Sequence, residues 1–262
     1  MTIPGGSVPR RVPLRAPLRA AVFGATSGIA AAVARRLAAA GAGIVLVGRD
    51  AEAIGASARD LRVRGAARIV EIAGDFAALE TLGDIADRAW SALSGIDVAL
   101  VAYGSLPDQA GLEADPRGIA PMLSLNFVSP AILALHLAGR FEAQGSGVLA
   151  VITSVAGDRG RKSNYLYGAA KGGLQRFLEG LRHRLYAAGV QVLDIRPGFV
   201  ATPMTEHLPQ GGKLWADPDR VAADIMRAIR RRRAVLYTPW FWRIILAIVR
   251  ALPRPLFHRT SL

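Results

Sequence analysis

Short apolar runs alternate with stretches of helical length along most of the chain. The runs are predicted strands and cover Ala20–Phe23, Gly43–Val47, Ile69–Ile72, Val98–Ala102, Val148–Thr153, Gln191–Ile195 and Val235–Tyr237. The stretches between them have a helical period and cover 29–40, 52–64, 77–93, 117–144, 165–188 and 218–231. Apolar strands separated by helices indicate a parallel sheet covered on both faces. Because crossovers are right-handed, we predict an α/β fold with a single doubly wound parallel sheet of about seven strands.

The composition excludes several classes of protein. A chain of 262 residues that is 52% hydrophobic and 20% charged is not mainly disordered and is long enough for one large core. Without cysteine it has no disulfide framework, thiolate metal site or cysteine nucleophile. Its four histidines are scattered, so we predict no metal. We divide it into a flexible basic leader (1–17), one sheet domain (18–238) and an apolar, basic helical extension (239–262).

The net charge of +13 is concentrated at the two ends of the chain. Residues 1–19 carry four arginines and 226–262 carry nine, without any acidic residue, so the body between them is balanced. A nucleic-acid binder usually spreads its basic patch over the folded domain, and we predict no nucleic-acid partner. Charge beside the apolar segment 240–252 favours a peripheral membrane contact, since 13 residues cannot span a bilayer. The alternatives are that this helix packs on the sheet or on another subunit.

The turn after the first predicted strand is rich in glycine. Gly24 permits a tight turn, and Gly28 permits a close approach of phosphate to a helix N-terminus, so we predict a dinucleotide at Gly24, Thr26, Ser27, Gly28 and Ile29. The alternative is an ordinary glycine-rich turn. Arg49 follows the second strand, where an arginine accommodates a 2′-phosphate and an acid would bind a free ribose hydroxyl. We therefore predict NADP(H) in preference to NAD(H). The alternative for Arg49 is an ordinary surface arginine, and Asp50 is the predicted N-cap of the next helix.

A second group of residues has a catalytic pattern. Tyr167 and Lys171 are four residues apart, on one face of a predicted helix. Ser154 ends the strand before that helix, and Asn126 lies in the preceding helix. With the glycine-rich turn and Pro197-Gly198 after a late strand, these motifs make residues 18–205 similar to the short-chain dehydrogenase/reductase family. The resemblance implies a Rossmann-type domain and hydride transfer between a nicotinamide cofactor and a ketone or secondary alcohol.

The resemblance also implies a role for each catalytic residue. Tyr167 is the expected general acid/base, and the Lys171 ammonium is expected to lower its pKa from about 10. Lys171 would also hold the nicotinamide ribose hydroxyls. Ser154 would polarise the substrate carbonyl, and Asn126 would anchor a water that extends a proton relay.

Further cofactor contacts follow from the same resemblance. Asp75 and Phe76 are expected at the adenine, Gly104 follows the fourth strand, and the segment expected at the carboxamide contains Pro197, Gly198, Val200 and Thr202. One departure concerns Tyr103 in the sequence Val-Ala-Tyr-Gly, where the family usually has Asn-Asn-Ala-Gly. The missing asparagine should remove a strand-stabilising hydrogen bond and place an aromatic ring near the adenosine or the mouth of the site.

The loop between Ser154 and Tyr167 is the part of the sequence that bears on the substrate. Arg159, Arg161 and Lys162 make the loop before Tyr167 basic, which suits a phosphate group, although ordinary solvated charge gives the same pattern. With His207 and the tail, this loop resembles that of the decaprenylphosphoryl-2-keto-ribose reductases. That likeness implies a polyprenyl-phosphate keto sugar as substrate, at the inner face of the membrane. The alternatives are a cytoplasmic reductase of a soluble carbonyl compound and a non-catalytic cofactor-binding scaffold. The family also implies a homodimer or homotetramer through helices 117–144 and 165–188.

Overall fold

The computed structural model describes residues 18–260; the predicted leader 1–17 and the last two residues lie outside the described part. Seven parallel strands form the main sheet in the order β3-β2-β1-β4-β5-β6-β9, and β7 pairs with β8 beside it. The strands are β1 (Arg19–Phe23), β2 (Gly43–Gly48), β3 (Arg68–Ala73), β4 (Val98–Val101), β5 (Val148–Ile152), β6 (Gln191–Pro197), β7 (Phe199–Val200), β8 (Trp215–Ala216) and β9 (Val235–Thr238). This doubly wound sheet confirms the predicted fold class.

The helices follow the strands closely. They are α1 (Gly28–Ala39), α2 (Ala51–Val63), α3 (Leu82–Ala92), α4 (Gln109–Ala114), α5 (Ile119–Leu123), α6 (Ser129–Gln144), α7 (Tyr165–Leu185), α8 (Pro218–Arg230), α9 (Phe241–Ala251) and α10 (Arg254–Phe257). Local side chains set where two of them begin. Ser27 accepts a hydrogen bond from the Ala30 amide at 3.3 Å, and Asp50 accepts one from the Ala53 amide at 3.0 Å. The predicted cap at Asp50 is thus confirmed.

The core consists of two layers, one on each face of the sheet. Helices α1, α2 and α8 cover one face, and α3, α6 and α7 cover the other. Successive residues of β1 enter opposite layers: Ala20 and Val22 pack in the first, Ala21 and Phe23 in the second, and all four are fully buried. This arrangement explains why the strands are apolar throughout rather than alternating.

The predicted helix 117–144 is continuous but contains a wider turn. Between α5 and α6, Ser124–Val128 is π-helical and places Asn126 fully inside the protein. By length and composition alone, the helical segment 116–144 could cross a membrane. However, Leu133, Leu137 and Phe141 are fully buried in the second core layer. The segment therefore serves as a core helix of the sheet domain.

The C-terminal helix α9 packs on the sheet domain. Trp242, Leu246 and Val249 are buried in a small cluster with Val155, which follows β5. Of the alternatives that the sequence left open, the structure thus places one face of α9 against its own domain. The opposite face carries Ile244 and Ile248, and Trp240 precedes the helix on the same side; all three are more than half exposed.

Candidate active site

A pocket of about 730 Å³ opens at the carboxyl ends of β1, β4, β5 and β6. The strand order reverses between β1 and β4, and open α/β sheets bind their ligands at such a switch point. Most of the predicted site residues line it: Gly24, Thr26, Ser27, Gly28, Ile29, Arg49, Phe76, Gly104, Asn126, Ser154, Arg161, Tyr167, Lys171, Pro197, Gly198, Val200, Thr202 and His207. Asp75, Arg159 and Lys162 are not among its lining residues.

The glycine-rich turn can pack against Tyr103 only because Gly24 lacks a side chain. Its φ is +83°, and a Cβ there would lie 2.8 Å from the Tyr103 backbone nitrogen. The amides of Gly24 and Ala25 both donate to the carbonyl of Val47, at 2.9 and 3.0 Å, which holds the turn against β2. At Gly28, the first residue of α1, a Cβ would lie 2.9 Å from Thr202 Cγ2. The two sides of the pocket therefore approach each other at this glycine.

The catalytic candidates converge in the same pocket. Lys171 Nζ is 5.8 Å from the centre of the Tyr167 ring and donates to the Ile152 carbonyl at 3.4 Å. Ser154 Oγ accepts from the Ala156 amide at 3.1 Å, which fixes the serine at the start of the loop after β5. The predicted grouping of serine, tyrosine and lysine is therefore present as a spatial cluster.

The protonation of this cluster differs from the prediction. Burial raises the pKa of Tyr167 to about 12, and the nearby Ser154 hydroxyl only partly offsets that increase. Burial also lowers the pKa of Lys171 to about 8, against the attraction of Asp194. The expected lowering of the Tyr167 pKa is thus wrong for this structure, because burial of the ring disfavours the charged phenolate. At neutral pH Tyr167 is a protonated acid.

Asn126 holds the loop that follows β4. Its side-chain oxygen accepts from the Ser105 amide at 3.1 Å, and its amide donates to Ser105 Oγ at 3.2 Å and to the Met122 carbonyl at 3.1 Å. A Cβ at Gly104 would lie 2.7 Å from the Asn126 oxygen and 3.4 Å from Lys171 Nζ. Asn126 is thus placed beside Lys171, and its role as a water anchor stays a prediction.

Tyr103 stands at the position where the family usually has asparagine, and its side chain contacts Phe76 and Ser129. Its ring stacks on Phe76 with 3.9 Å between centroids and 2° between planes. Its hydroxyl is 2.9 Å from Ser129 Oγ, which in turn donates to the Phe76 carbonyl at 2.6 Å. This chain of contacts joins the loops after β3 and β4 and forms an aromatic wall of the pocket.

Three predicted site residues lie away from the pocket lining. Asp75 is exposed and accepts from the Ala77 amide at 3.0 Å. Arg159 donates to the carbonyls of Val249 and Leu252, the latter at 3.0 Å, and its guanidinium lies 3.7 Å from the centre of the Phe257 ring. Lys162 is exposed. Of the three basic residues in the loop, the structure therefore brings Arg161 to the pocket and turns Arg159 to the C-terminal helix.

Several lining residues were not predicted from the sequence, and two of them, Asn164 and Trp242, bring polar side-chain atoms to the pocket. The Trp242 indole nitrogen lies against the Cα of Gly198, where there is no room for a side chain. In the sequence, the aromatic residues at 240–242 lie close to arginines, a pattern that favours a membrane surface. Residue spacing along α9 separates a buried face from an exposed one without indicating what the buried face contacts.

The residues present fit a nicotinamide dinucleotide. The N-terminus of α1 and its glycine-rich turn are suited to phosphates, and Arg49 at the end of β2 adds a cation. Lys171 and Tyr167 lie along the same pocket, where ribose hydroxyls and a reacting carbonyl would be held.

Comparisons with known proteins agree with this geometry. The model of the short chain dehydrogenase family matches residues 19–212. An uncharacterized oxidoreductase of Mycobacterium tuberculosis is 38% identical over 226 residues, or 86% of this chain and 90% of the relative. An uncharacterized oxidoreductase of Streptomyces coelicolor is 36% identical over 235 residues, or 86% and 89% of the two chains.

A solved structure of a short chain dehydrogenase/reductase family protein superposes with a TM-score of 0.74 at 29% identity, covering 84% of this chain and 94% of the other. Fold, site and sequence similarity agree. The chain belongs to the short chain dehydrogenase family of oxidoreductases, whose fold binds a nicotinamide cofactor, NAD or NADP.

Proposed function

We propose that the protein is an NADPH-dependent reductase that converts a ketone into a secondary alcohol, with Tyr167 as the proton donor. The observation that carries this proposal is the cluster of Ser154, Tyr167 and Lys171 in the pocket that begins at the glycine-rich turn. When bound, the reduced nicotinamide supplies a hydride to the carbonyl carbon. Ser154 donates a hydrogen bond to the carbonyl oxygen and polarises it.

Tyr167 then gives its proton to the oxygen as the hydride arrives. A pKa of about 12 keeps this residue protonated at neutral pH, so the acid needed for reduction is fully available. The phenolate left behind is stabilised by the Lys171 ammonium, which lies on the same helix and is 5.8 Å from the ring centre. The charge and the position of Lys171 therefore both favour reduction of the ketone.

Arg49 supports the proposed preference for NADPH. It lines the pocket at the end of β2, and its side chain is exposed and free to approach a 2′-phosphate. The neighbouring acid, Asp50, is engaged as the cap of α2 through its bond to the Ala53 amide. An acid at this position is therefore not directed to a ribose hydroxyl.

For the substrate we propose a phosphate-linked keto sugar, presented at the cytoplasmic face of a membrane on a polyprenyl chain. The exposed face of α9 supports the membrane part: Trp240, Ile244 and Ile248 form an apolar stripe at helical spacing. Arg243 and Arg250 are exposed on the same helix and suit anionic lipid headgroups. The soluble-carbonyl alternative keeps the same catalytic residues and needs no membrane.

We further propose a homodimer or homotetramer that uses the exposed sides of α6 and α7; Leu135 on α6 is 46% exposed, and Tyr186, the residue that follows α7, is 60% exposed. Light scattering after size-exclusion chromatography tests this part, and a monomer would contradict it.

The test of the proposed function compares two tyrosine variants on one helix. NADPH oxidation is followed with a panel of ketoses and lipid-linked keto sugars. Tyr167→Phe should lower the rate by about 10²- to 10⁴-fold, the range of general acid catalysis, and leave NADPH binding intact. Tyr165→Phe is the matched control, since Tyr165 is exposed and outside the pocket lining. Equal rates in the two variants would contradict the proposed acid, and absence of turnover in the parent protein would favour a non-catalytic scaffold.

A further inference from the structure

The pocket lining contains a cation, Arg161, that makes no side-chain hydrogen bond or ion pair among the described residues. Arg161 lines the pocket, its side chain is partly buried, and its Nε is buried without a hydrogen bond. The structure of residues 18–260 gives this guanidinium no carboxylate within 4.0 Å. Leaving a partly buried charge uncompensated is costly, so such groups usually have a binding role or a counter-ion.

The acid closest to Arg161 in sequence is fully used elsewhere. Asp158 accepts from Arg196 at 3.0 Å through one oxygen and from the Tyr237 hydroxyl at 2.7 Å through the other. In the pocket lining itself the acidic residue is Asp108, whose carboxylate caps α4 by accepting from the Gly111 amide at 2.9 Å. Both carboxylates are thus hydrogen-bonded within the fold, and Asp158 attracts Arg161 without a direct contact.

Asn164 adds a second unsatisfied group at the same place. It stands at the N-cap of α7, where an asparagine side chain normally accepts from the first turn, yet it makes no such bond. It lines the pocket instead, and its side-chain oxygen is buried without a partner among the described residues. The N-terminus of the 21-residue helix α7 lies beside Arg161, and its dipole favours negative charge.

We infer that Arg161, Asn164 and the N-terminus of α7 form a subsite for an anionic group of the substrate. This inference rests on the proposed function, because it places the anion on the compound whose carbonyl meets Tyr167. The cofactor phosphates have their own cation and helix N-terminus at Arg49 and α1, on the other side of the pocket. A phosphate ester and a carboxylate share the required chemistry, and the experiment separates them.

The test measures binding to the full-length protein saturated with NADP⁺. No hydride passes from oxidised cofactor to a ketone, so the result does not depend on turnover and stands apart from the test of Tyr167. Two matched pairs of ketones are titrated calorimetrically: ribulose 5-phosphate against ribulose, and levulinate against its methyl ester. The anionic member of at least one pair should bind about tenfold tighter or more, as expected for a charge-assisted hydrogen bond.

Substitutions in the loop that contains Arg161 show which residue causes the preference for the anionic compound. Arg161→Met should abolish it, Arg161→Lys should retain part of it, and Lys162→Met should leave it unchanged, since Lys162 is exposed one residue away. A preference in the first pair alone indicates a phosphate subsite, and in the second pair alone a carboxylate subsite. Equal affinity within both pairs, survival of the preference in Arg161→Met, or no binding of any of the four compounds would overturn the inference.

Discussion

Arg196 and Asp158 form an ion pair with 3.0 Å between guanidinium and carboxylate, and the Asp158 side chain has no exposed surface. Arg196 also contacts Asp194 at 2.7 Å, so one guanidinium neutralises two buried acids. Since Asp158 lies in the loop between Ser154 and Tyr167, and Arg196 lies in β6, the pair joins the catalytic loop to the sheet.

Removing this cation should destabilise the fold. Arg196→Met leaves two buried carboxylates without their counter-charge, and we expect a loss of about 3–5 kcal/mol in the free energy of unfolding. Urea denaturation followed by circular dichroism measures it. Arg64→Gln is the control, because the Asp60–Arg64 pair is solvent-exposed on α2 and its loss should leave the midpoint unchanged. Similar midpoints for the two variants would show that the buried network contributes little.

Cofactor affinity should depend on pH through Lys171. Its pKa of about 8 means that it loses its proton as the pH rises from 7 to 9. A negatively charged ligand favours the ammonium, so binding takes up a proton above pH 8 and NADPH affinity should fall over that interval. Fluorescence titration of NADPH at each pH measures the dependence. Lys171→Arg keeps its charge throughout and should remove the slope; a slope that persists in this variant would point to another group.

Discrimination between the two cofactors should depend on Arg49. We expect Arg49→Ala to weaken NADPH binding by about 10- to 100-fold, as for the loss of a charged hydrogen bond, with NADH binding unchanged. Arg59→Ala provides the comparison, since Arg59 is exposed on α2 and outside the pocket lining. A parent protein that prefers NADH, or an Arg49→Ala variant that loses both cofactors equally, would contradict the proposed preference.

Membrane contact should depend on the exposed face of α9. The double variant Ile244→Ser and Ile248→Ser removes apolar surface from positions that are 52% and 60% exposed, so the fold should be retained. Co-sedimentation with phosphatidylglycerol vesicles should fall by about tenfold or more, given about 25 cal/mol per Å² of apolar area removed from water. Val63→Ser is the control, because Val63 is 90% exposed on a different helix. Parent protein that stays in the supernatant would exclude this contact.

The sheet and most of the catalytic cluster could be predicted because they depend on local patterns. Apolar strands alternate with helices at a fixed spacing, and Tyr167 and Lys171 share a helix face at any depth of burial. The pKa of Tyr167 could not be predicted in the same way, since it depends on how many atoms from distant elements exclude water from the ring. The sequence shows a tyrosine near a lysine and gives no measure of that desolvation.

The directions of the side chains in the basic loop could not be predicted from the sequence either. Arg159, Arg161 and Lys162 are chemically alike and nearly adjacent, yet one contacts α9, one lines the pocket and one faces solvent. The direction of each side chain depends on the backbone of an irregular loop. Such a loop has no sequence periodicity from which that direction could be predicted. For the same reason the wall formed by Trp242 was missed: its partner, Gly198, is 44 residues away in the sequence and meets it only through packing.

The contact between Gly198 and Trp242 makes the side chain that fits at one position depend on the residue at the other. Any side chain at 198 would occupy the space of the indole ring, and a smaller residue at 242 would open that space to a side chain at 198. Relatives that lack glycine at the first position should therefore carry a smaller residue at the second. Their pockets would differ in width at this wall. Family members with the same catalytic residues could therefore differ in the substrates that they bind.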